Sequence, residues 1–343
     1  MKYIQTVCGQ IPPQQLGFTL PHEHIFWELS IYLPKDLAQT DDSDPRKRKV
    51  SVEVLGDLKY RLQQYPDNVV HHDFDIAVKE LQFFKQAGGC SICDCTVRGI
   101  PTDITKIKQA SQASGVNILL ATGAYVNTAL SDELNALDKY AMAELFVSDF
   151  QNGFDGTDIK PGFIKVGVGD ISPEADIRNL AAAAIAQKQT GAAILIHQPG
   201  VEHRADMMFK ALTDHGADLN KVVMCHCDPL LPDLDYIEYM SKCGAYISFD
   251  FFGLECMLGK TFWLPTDRDR IFSVLELINR GNLNRLLLSH DTVYKSMLRS
   301  YGGFGYAHLP EDIVPIMLAN GYTQNWIDQM TVQNPREVFT LEC

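Results

Sequence analysis

The chain is poor in basic residues and contains no long apolar run. Its 343 residues include 30 lysines and arginines against 43 aspartates and glutamates, which gives a formal net charge of −13. A surface this acidic repels nucleic acids and anionic membranes, so we expect neither as a partner. No run approaches the roughly 18 apolar residues of a bilayer span, and the first residues, MKYIQTVCGQ, lack the basic and apolar segments of a secretory signal. The expected location is therefore the cytoplasm.

Cysteines are present in an odd number, nine, and several lie within apolar runs. We therefore expect reduced thiols that pack in the core, and not a disulfide framework. Cys90, Cys93 and Cys95 resemble half of a zinc knuckle, but no matching cysteine pair follows at the spacing of such a site. Internal repeats and low-complexity linkers are also absent, which favours one domain over residues 1–343.

Eight short β-branched or aliphatic runs recur along the chain, with amphipathic segments between them. The runs are GFTLPHEH (17–24), CSICDCT (90–96), NILLATGAY (117–125), GFIKVGVG (162–169), AAILIHQ (192–198), VVMCHCD (222–228), AYISFDF (245–251) and RLLLSHD (285–291). Apolar residues three and four apart predict helices over 75–87, 173–189 and 269–280. Strands that alternate with helices in this number predict an α/β fold, a single (β/α)8 TIM barrel.

The chain is longer than a typical barrel of about 250 residues, so we expect loop insertions. The largest lies at about 27–72, after the first predicted strand, and includes a predicted helix at 52–64.

Five conventional metal-binding side chains and one lysine lie at or near the carboxyl ends of these runs. They are His22, His24, Lys165, His197, His226 and Asp291. A single histidine such as His197 is more often a hydrogen-bonded core residue than a ligand. The complete set indicates a metal centre, because the carboxyl ends of parallel barrel strands meet at one mouth.

The two-residue period of a strand predicts which side chains face the interior. It places His22 and His24 on one face and Glu23 on the other. It also predicts that His226 faces the interior, whereas Cys225 and Cys227 face the surrounding helices. In the last run, only Asp291 is expected to point inward, since His290 precedes it directly.

Lys165 lies in the middle of the apolar run GFIKVGVG. An ammonium group buried there beside bound cations would be costly. Reaction of the neutral amine with carbon dioxide would replace this positive group by a negative carbamate that can bridge two ions. The alternative is that the lysine reaches solvent from a short or exposed strand.

At this point the residues resemble a known family, the phosphotriesterase branch of the amidohydrolase superfamily. The resemblance covers essentially the whole chain and rests on an ordered set of motifs. They are Gln-Thr-Val (5–7), Gly-Phe-Thr-Leu-Pro-His-Glu-His (17–24), Phe-Ile-Lys-Val (163–166), Ile-His (196–197), Cys-His-Cys-Asp (225–228), Ser-His-Asp (289–291) and Asn-Pro-Arg (334–336).

The resemblance implies a binuclear centre of two divalent ions, usually zinc. His22, His24 and Asp291 would hold the more buried ion, whereas His197 and His226 would hold the more exposed one. Lys165, N6-carboxylated by carbon dioxide, and a hydroxide would bridge the ions. The hydroxide would attack a P=O or C=O group that the exposed ion polarises, and Asp291 would carry the proton away. Lys165 and Asp291 are therefore the expected catalytic residues.

Features within the family point in different directions. The segments 301–306 and 249–255 are similar to the phosphotriesterase-related group, many of whose members have glutamate at the position of Lys165. Lactonase members typically have arginine where Phe251 follows Asp250 here. We therefore expect hydrolysis of a phosphorus ester, either a phosphate or a phosphonate. The alternatives are a lactonase, a carboxylesterase or an N-acyl hydrolase that uses the same site, and a non-catalytic metal-binding barrel.

Five residues are candidates for contact with a small-molecule ester substrate. Tyr125 matches an aromatic position that lies over the metals in the family, with packing at the rim as the alternative. Arg98, Arg204 and Lys295, together with Arg299, fall in predicted loops where a basic side chain can bind an anion. The alternative is that each is a surface charge. No feature sets the oligomeric state, and a homodimer is allowed.

Overall fold

A ring of parallel strands forms the centre of the fold. The computed structural model describes residues 1–169, 172–259 and 261–342. We number the barrel strands β1 (Thr19–Glu23), β2 (Ser91–Asp94), β3 (Asn117–Ala124), β4 (Phe163–Gly167), β5 (Ile194–His197), β6 (Val222–Cys225), β7 (Tyr246–Phe249) and β8 (Leu286–Leu288). Each strand pairs in parallel with the next one along the chain. The predicted (β/α)8 barrel is confirmed, and every strand lies within the run that predicted it.

The two ends of the sheet, β8 and β1, meet through hydrogen bonds that involve a side chain and a loop. The hydroxyl of Ser289 donates to the carbonyl oxygen of His22 at 2.8 Å and accepts from the backbone N–H of His22 at 3.1 Å. The backbone N–H of Asp291 donates to the same carbonyl at 3.1 Å. This seam brings two predicted metal ligands, His22 and Asp291, side by side.

Helices follow the barrel strands and cover the outside of the ring. The helices of the described residues are α1 (Leu55–Arg61), α2 (Phe74–Gln86), α3 (Ile104–Ser114), α4 (Asp132–Asn135), α5 (Lys139–Asn152), α6 (Pro173–Thr190), α7 (Ala205–Thr213), α8 (Leu234–Lys242), α9 (Asp267–Asn279), α10 (Val314–Ala319), α11 (Gln324–Asp328) and α12 (Asn334–Phe339). The predicted helices are α2, α6 and α9. Capping side chains set the starts of two of them: Asp73 accepts from Ile76 N–H before α2, and Thr266 forms a capping box with Asp269 in α9.

The segment predicted as an insertion begins and ends in one small antiparallel ladder. Strand Trp27–Glu28 pairs with Val70–His71, so the ends of the segment lie together. The predicted helix at 52–64 is α1 followed by a 3-10 turn at Leu62–Gln64. A small cluster of buried Val50, Val54, Leu58 and Tyr65 packs within the segment.

Other short strands lie outside the barrel. Lys2–Thr6 pairs with Gly9–Ile11 and with Leu341–Glu342, and Met257–Leu258 pairs with Phe262–Trp263.

The barrel strands are apolar on both faces. Ile194, Leu195 and Ile196 of β5, for example, are fully buried, as expected for a parallel sheet covered by helices. All cysteines in the described part of the chain are free thiols; Cys93, Cys95, Cys225, Cys227 and Cys256 are buried, Cys8 is exposed, and Cys343 lies outside the described residues. Every helix within the described ranges is too short or too polar to cross a lipid bilayer.

Gly123 on β3 pairs with Lys165 on β4, and its φ of +147° disfavours any side chain. A Cβ atom there would lie 1.7 Å from the carbonyl oxygen of Lys165. We expect Gly123→Ala to destabilise the protein by roughly 3 kcal/mol or more, because strained backbone alone costs about 1–3 kcal/mol. The loss is measured as a shift of the urea unfolding midpoint.

The matched control is Gly56→Ala in α1, where a new Cβ meets no atom within 4 Å. We expect this change to be neutral or to stabilise by up to about 1 kcal/mol, since alanine favours helix. Equal shifts in both variants would contradict the close packing of β3 on β4.

Candidate metal centre

The six predicted residues converge at the carboxyl mouth of the barrel. His22 and Lys165 lie on β1 and β4, and His197 is the last residue of β5. His24 and His226 directly follow β1 and β6, whereas Asp291 lies in the loop after β8. All line one cavity, and each except His197 is at least nine-tenths buried. The structure therefore brings the whole predicted set together.

The first group of donor atoms consists of Nε2 of His22, Nε2 of His24 and a carboxylate oxygen of Asp291. Oδ1 of Asp291 lies 3.4 Å from the first nitrogen and 3.3 Å from the second. All three donor atoms lie within 4.8 Å of one another. Oδ1 accepts no hydrogen bond from any described residue, although it is buried. Such a set matches the ligands that a divalent ion prefers.

In both imidazoles of this first group, the nitrogen that faces away from Asp291, Nδ1, already forms a hydrogen bond. Nδ1 of His22 lies 2.8 Å from Oδ2 of Asp250, and Nδ1 of His24 lies 2.6 Å from the hydroxyl of Thr96. A carboxylate can only accept, so Nδ1 of His22 carries the hydrogen and Nε2 presents its lone pair to the shared space.

The second group pairs Nδ1 of His197 with Nε2 of His226, at 2.8 Å. Nδ1 of His226 and its backbone N–H both point to Oδ1 of Asp250, each at 2.9 Å. This contact assigns the hydrogen of His226 to Nδ1 and leaves Nε2 as a lone pair beside His197. Two imidazole nitrogens at this separation suit a second ion.

Asp250, directly after β7, was not predicted to take part in the centre. It is fully buried, and its carboxylate contacts one histidine from each group, His22 and His226. The sequence did contain a signal: Asp250 is an acidic residue near the end of the apolar run AYISFDF, and a buried carboxylate there has to be stabilised by partners.

Lys165 lies beside the first group of donor atoms. Its Nζ is 3.2 Å from Nε2 of His22 and 3.4 Å from Sγ of Cys225. The side chain is 2% exposed, so the alternative in which it reaches solvent is wrong. Burial lowers the pKa of Lys165, but Cys225, Cys95, Asp250 and Asp291 outweigh burial and raise it overall.

The position of Cys225 corrects a prediction. Strand alternation predicted that its thiol faces the helices, yet the thiol contacts Lys165 inside the barrel. The cause is the backbone of the next residue: His226 has a φ of +57°, so the extended alternation ends at Cys225 and both side chains point inward. Asp291 has a similar φ of +50°. Strained backbone of this kind is typical of functional sites.

Glu23 points away from the mouth, as alternation predicts, and anchors the loop after β8. Its carboxylate is fully buried and accepts from the backbone N–H and the ring of His290 and from the backbone N–H of Thr292, at 2.8–2.9 Å. The hydroxyl oxygen of Ser289 also lies 2.8 Å from this carboxylate, so its one hydrogen is shared between Glu23 and the carbonyl oxygen of His22. These bonds hold both neighbours of Asp291. They explain how a strained residue keeps one conformation.

The electrostatics of the mouth favour neutral imidazoles. Burial and then Lys165 lower the pKa of His22 to about 4. Burial, His226 and Lys165 lower the pKa of His197 well below its usual range. Burial works against ionisation of Asp291, but His22, His24 and His226 outweigh it and hold the pKa of this carboxyl below its usual range. Neutral imidazoles and an ionised carboxylate are the forms that bind metal ions.

The cavity above these residues has a volume of about 120 Å³ and is lined mainly by apolar side chains. Its apolar walls are Leu29, Ile100, Phe251, Leu254, Leu258 and Val293. Tyr125, a predicted substrate contact, also lines it. The Tyr125 ring packs edge-on against His197, with centroids 5.2 Å apart, and its hydroxyl bonds to that of Tyr32.

The structure does not bring the predicted basic side chains into this cavity. Arg98 pairs with Asp149, and Arg204 pairs with Glu202. Lys295 pairs with Asp67 at 2.8 Å. Each positive charge is already matched by a carboxylate, so a role for Arg98, Arg204 or Lys295 in substrate binding gains no support from their positions.

Comparison with known proteins gives the family. The model of the phosphotriesterase family matches residues 2–339. The chain belongs to the phosphotriesterase family. It is 34% identical to the N-acetyltaurine hydrolase of Xenopus tropicalis over 99% of this chain and 98% of that protein. Hydrolysis is therefore the class of activity that its family and relatives support.

Solved structures of relatives share the fold. A resiniferatoxin-binding protein from Rhodobacter sphaeroides superposes with a TM-score of 0.93 at 31% identity, covering 98% of this chain and 94% of that one. The phosphotriesterase homology protein from Escherichia coli, complexed with phosphate in its active site, superposes with a TM-score of 0.76 at 26% identity, covering 95% and 99%.

We expect Asp250→Asn to lower the affinity for divalent metal by about 10- to 100-fold, as loss of a partner behind a ligand typically does. Asparagine offers one acceptor oxygen, so it cannot serve His22 and His226 together. Metal per chain by mass spectrometry, with competition by a chelator, measures the change.

The matched control is Glu80→Gln, which alters another fully buried carboxylate. Its oxygens accept from the backbone N–H groups of Arg299 and Ser300 and contact no predicted ligand. Equal metal loss in both variants, or none in Asp250→Asn, would contradict the role given to Asp250.

Proposed function

We propose that this protein hydrolyses the amide bond of a small N-acylated amine at a two-metal centre. The observation that carries the proposal is the full-length similarity to proteins named N-acetyltaurine hydrolase, from Xenopus tropicalis to Homo sapiens. Water adds to the carbonyl carbon, the C–N bond breaks, and a carboxylic acid and an amine are released.

The donor groups described above fit two divalent ions, and zinc suits their imidazole and carboxylate ligands. His22, His24 and Asp291 would hold one ion, and His197 and His226 the other. Ions bound there would supply Lewis-acid activation of the substrate carbonyl and of a water molecule. Asp291 accepts the proton that the attacking water loses and returns it to the amide nitrogen as the C–N bond breaks.

Lys165 would complete the centre as a carbamate. Its neutral amine would attack carbon dioxide: an N–C bond forms as one C–O π bond opens, one proton is released, and the side chain then ends in a carboxylate. Two features support this step: burial of the side chain and its contact with His22. The neutral amine that the reaction requires would be favoured by a divalent ion bound nearby.

The shape of the cavity favours a small substrate. Its volume of about 120 Å³ lies below the roughly 300–1,000 Å³ of sites that enclose drug-sized ligands. The apolar walls Ile100, Leu254 and Val293 suit a short acyl group. Phe251, stacked on His226 at 4.7 Å between ring centroids, adds a further apolar wall that limits water.

A phosphorus ester remains the second candidate substrate. The sequence favoured it, and the Escherichia coli relative is described with phosphate in its active site. The same donor groups would serve a tetrahedral phosphorus centre. The names of relatives at 34% and 32% identity, however, favour a carbonyl centre.

A substrate panel tests the proposal. Zinc-loaded enzyme is assayed on N-acetyltaurine, other N-acetylated amines, lactones, aryl esters, phosphonate monoesters and phosphotriesters, with chelated enzyme as the blank. We expect the highest kcat/KM on an N-acyl amide and loss of turnover after chelation. Turnover of phosphorus esters alone would select the second candidate, whereas metal-independent binding without any turnover would favour a non-catalytic barrel.

Substitution of Lys165 tests the carbamate. We expect Lys165→Met to lose more activity than the roughly 10- to 100-fold typical of an outer partner, together with bound metal. We expect Lys165→Glu to keep more of both, since glutamate supplies a carboxylate directly. Native mass spectrometry of the metal-loaded protein should show the added mass of one carbon dioxide.

The added mass should be absent from both variants. An unmodified lysine in a fully metal-loaded, active enzyme would refute the carbamate and leave the hydrolase proposal intact.

A further inference from the structure

Among the described residues that line the cavity, the polar groups other than the six candidate metal-binding residues and the Cys95 thiol are all uncharged side chains. They are the hydroxyls of Tyr32, Tyr125 and Tyr294 and the amide of Gln63. Tyr32 and Gln63 come from the insertion, and Tyr294 from the loop after β8. The insertion therefore places hydrogen-bonding groups over a centre that the barrel alone would leave open.

Gln63 and Tyr294 form one pair in which a donor remains available. Nε2 of Gln63 lies 2.9 Å from the hydroxyl oxygen of Tyr294. If the amide donates, the hydroxyl hydrogen of Tyr294 stays available; if the amide is flipped, Tyr294 donates and the NH2 group stays available. Burial raises the pKa of Tyr294 above its usual range, so the phenol remains a protonated donor.

Buried contacts hold this pair in place. Nδ2 of Asn68 donates to the carbonyl oxygen of Leu62, next to Gln63, at 3.0 Å. The oxygens of Asn68 accept from the backbone N–H groups of Lys295 and Ser296, next to Tyr294, both at 2.9 Å. Asn68 is fully buried, and its hydrogen bonds join the insertion to the loop after β8. The ion pair of Lys295 with Asp67 joins the same segments.

We propose that Gln63 and Tyr294, beside the Tyr32–Tyr125 hydroxyl pair, form a subsite that binds a sulfonate on the amine side of the substrate. This inference rests on the proposed amide hydrolysis and names its substrate class. A sulfonate spreads one charge over three weakly basic oxygens, so neutral donors suffice to bind it. A carboxylate is more basic, and proteins commonly match it with arginine or lysine. The basic side chains predicted for that role are paired elsewhere.

Three substrates with one acyl group test the subsite: N-acetyltaurine, N-acetyl-β-alanine and N-propylacetamide. They present a sulfonate, a carboxylate and no charge. We expect the wild type to prefer the sulfonate. We expect Tyr294→Phe to lose about 10- to 100-fold in kcat/KM on N-acetyltaurine, the effect of one hydrogen bond to a charged group, mainly through KM. On N-propylacetamide the same variant should stay within about twofold of wild type.

The matched control is Tyr322→Phe, the same change at a buried tyrosine whose hydroxyl donates to the carbonyl oxygen of Ile271. It should leave the substrate preference unchanged. Equal losses of Tyr294→Phe on charged and neutral substrates would overturn the subsite, because they would indicate a structural role. A wild-type preference for N-acetyl-β-alanine or N-propylacetamide would overturn the sulfonate assignment.

A binding measurement separates failure of the subsite from failure of the proposed reaction. Ethanesulfonate is titrated calorimetrically into the metal-loaded wild type and Tyr294→Phe. Binding by the wild type that weakens about 10-fold or more in the variant supports the subsite even if no amide is cleaved. Amide turnover without ethanesulfonate binding would overturn the subsite and leave the proposed function standing.

Discussion

The carboxylate of Asp250 joins the two halves of the candidate metal centre. One oxygen contacts Nδ1 of His22 on β1, and the other contacts the ring and the backbone of His226 after β6. Because an ionised carboxylate only accepts, this single group sets the tautomer of both imidazoles and turns both Nε2 lone pairs toward the mouth. The coordinating geometry of both groups therefore depends on one buried charge.

That charge is stable in the interior because the barrel surrounds it with donors. The imidazoles of His226 and His22 outweigh the cost of burial and hold the pKa of Asp250 well below its usual range. The closing seam works in the same way, with Glu23 accepting from several donors around Asp291. Hydrogen bonds to buried carboxylates thus hold the backbone at His226 and Asp291 in its strained conformation of positive φ. Without these bonds the backbone would relax to a less strained conformation.

The insertion gives this barrel its particular mouth. Leu29, Tyr32 and Gln63 of the insertion line the cavity of the candidate metal centre. The candidate metal-binding residues lie at or near the ends of the barrel strands, whereas these residues of the insertion narrow the cavity and supply neutral polar groups to it. The insertion and the loop after β8, which Asn68 joins through hydrogen bonds, therefore shape the mouth of the candidate site.

Local periodicity was enough to predict the eight strands, the helices between them and the convergence of His22, His24, His197, His226 and Asp291. These features depend on alternation and on the rule that parallel strands end at one mouth, and both are visible along the chain. The inward turn of Cys225, the bridging place of Asp250 and the ion pairs that occupy Arg98 and Lys295 were not predictable in this way. They depend on a backbone turn of positive φ and on partners more than twenty residues away, which only the folded chain brings into contact.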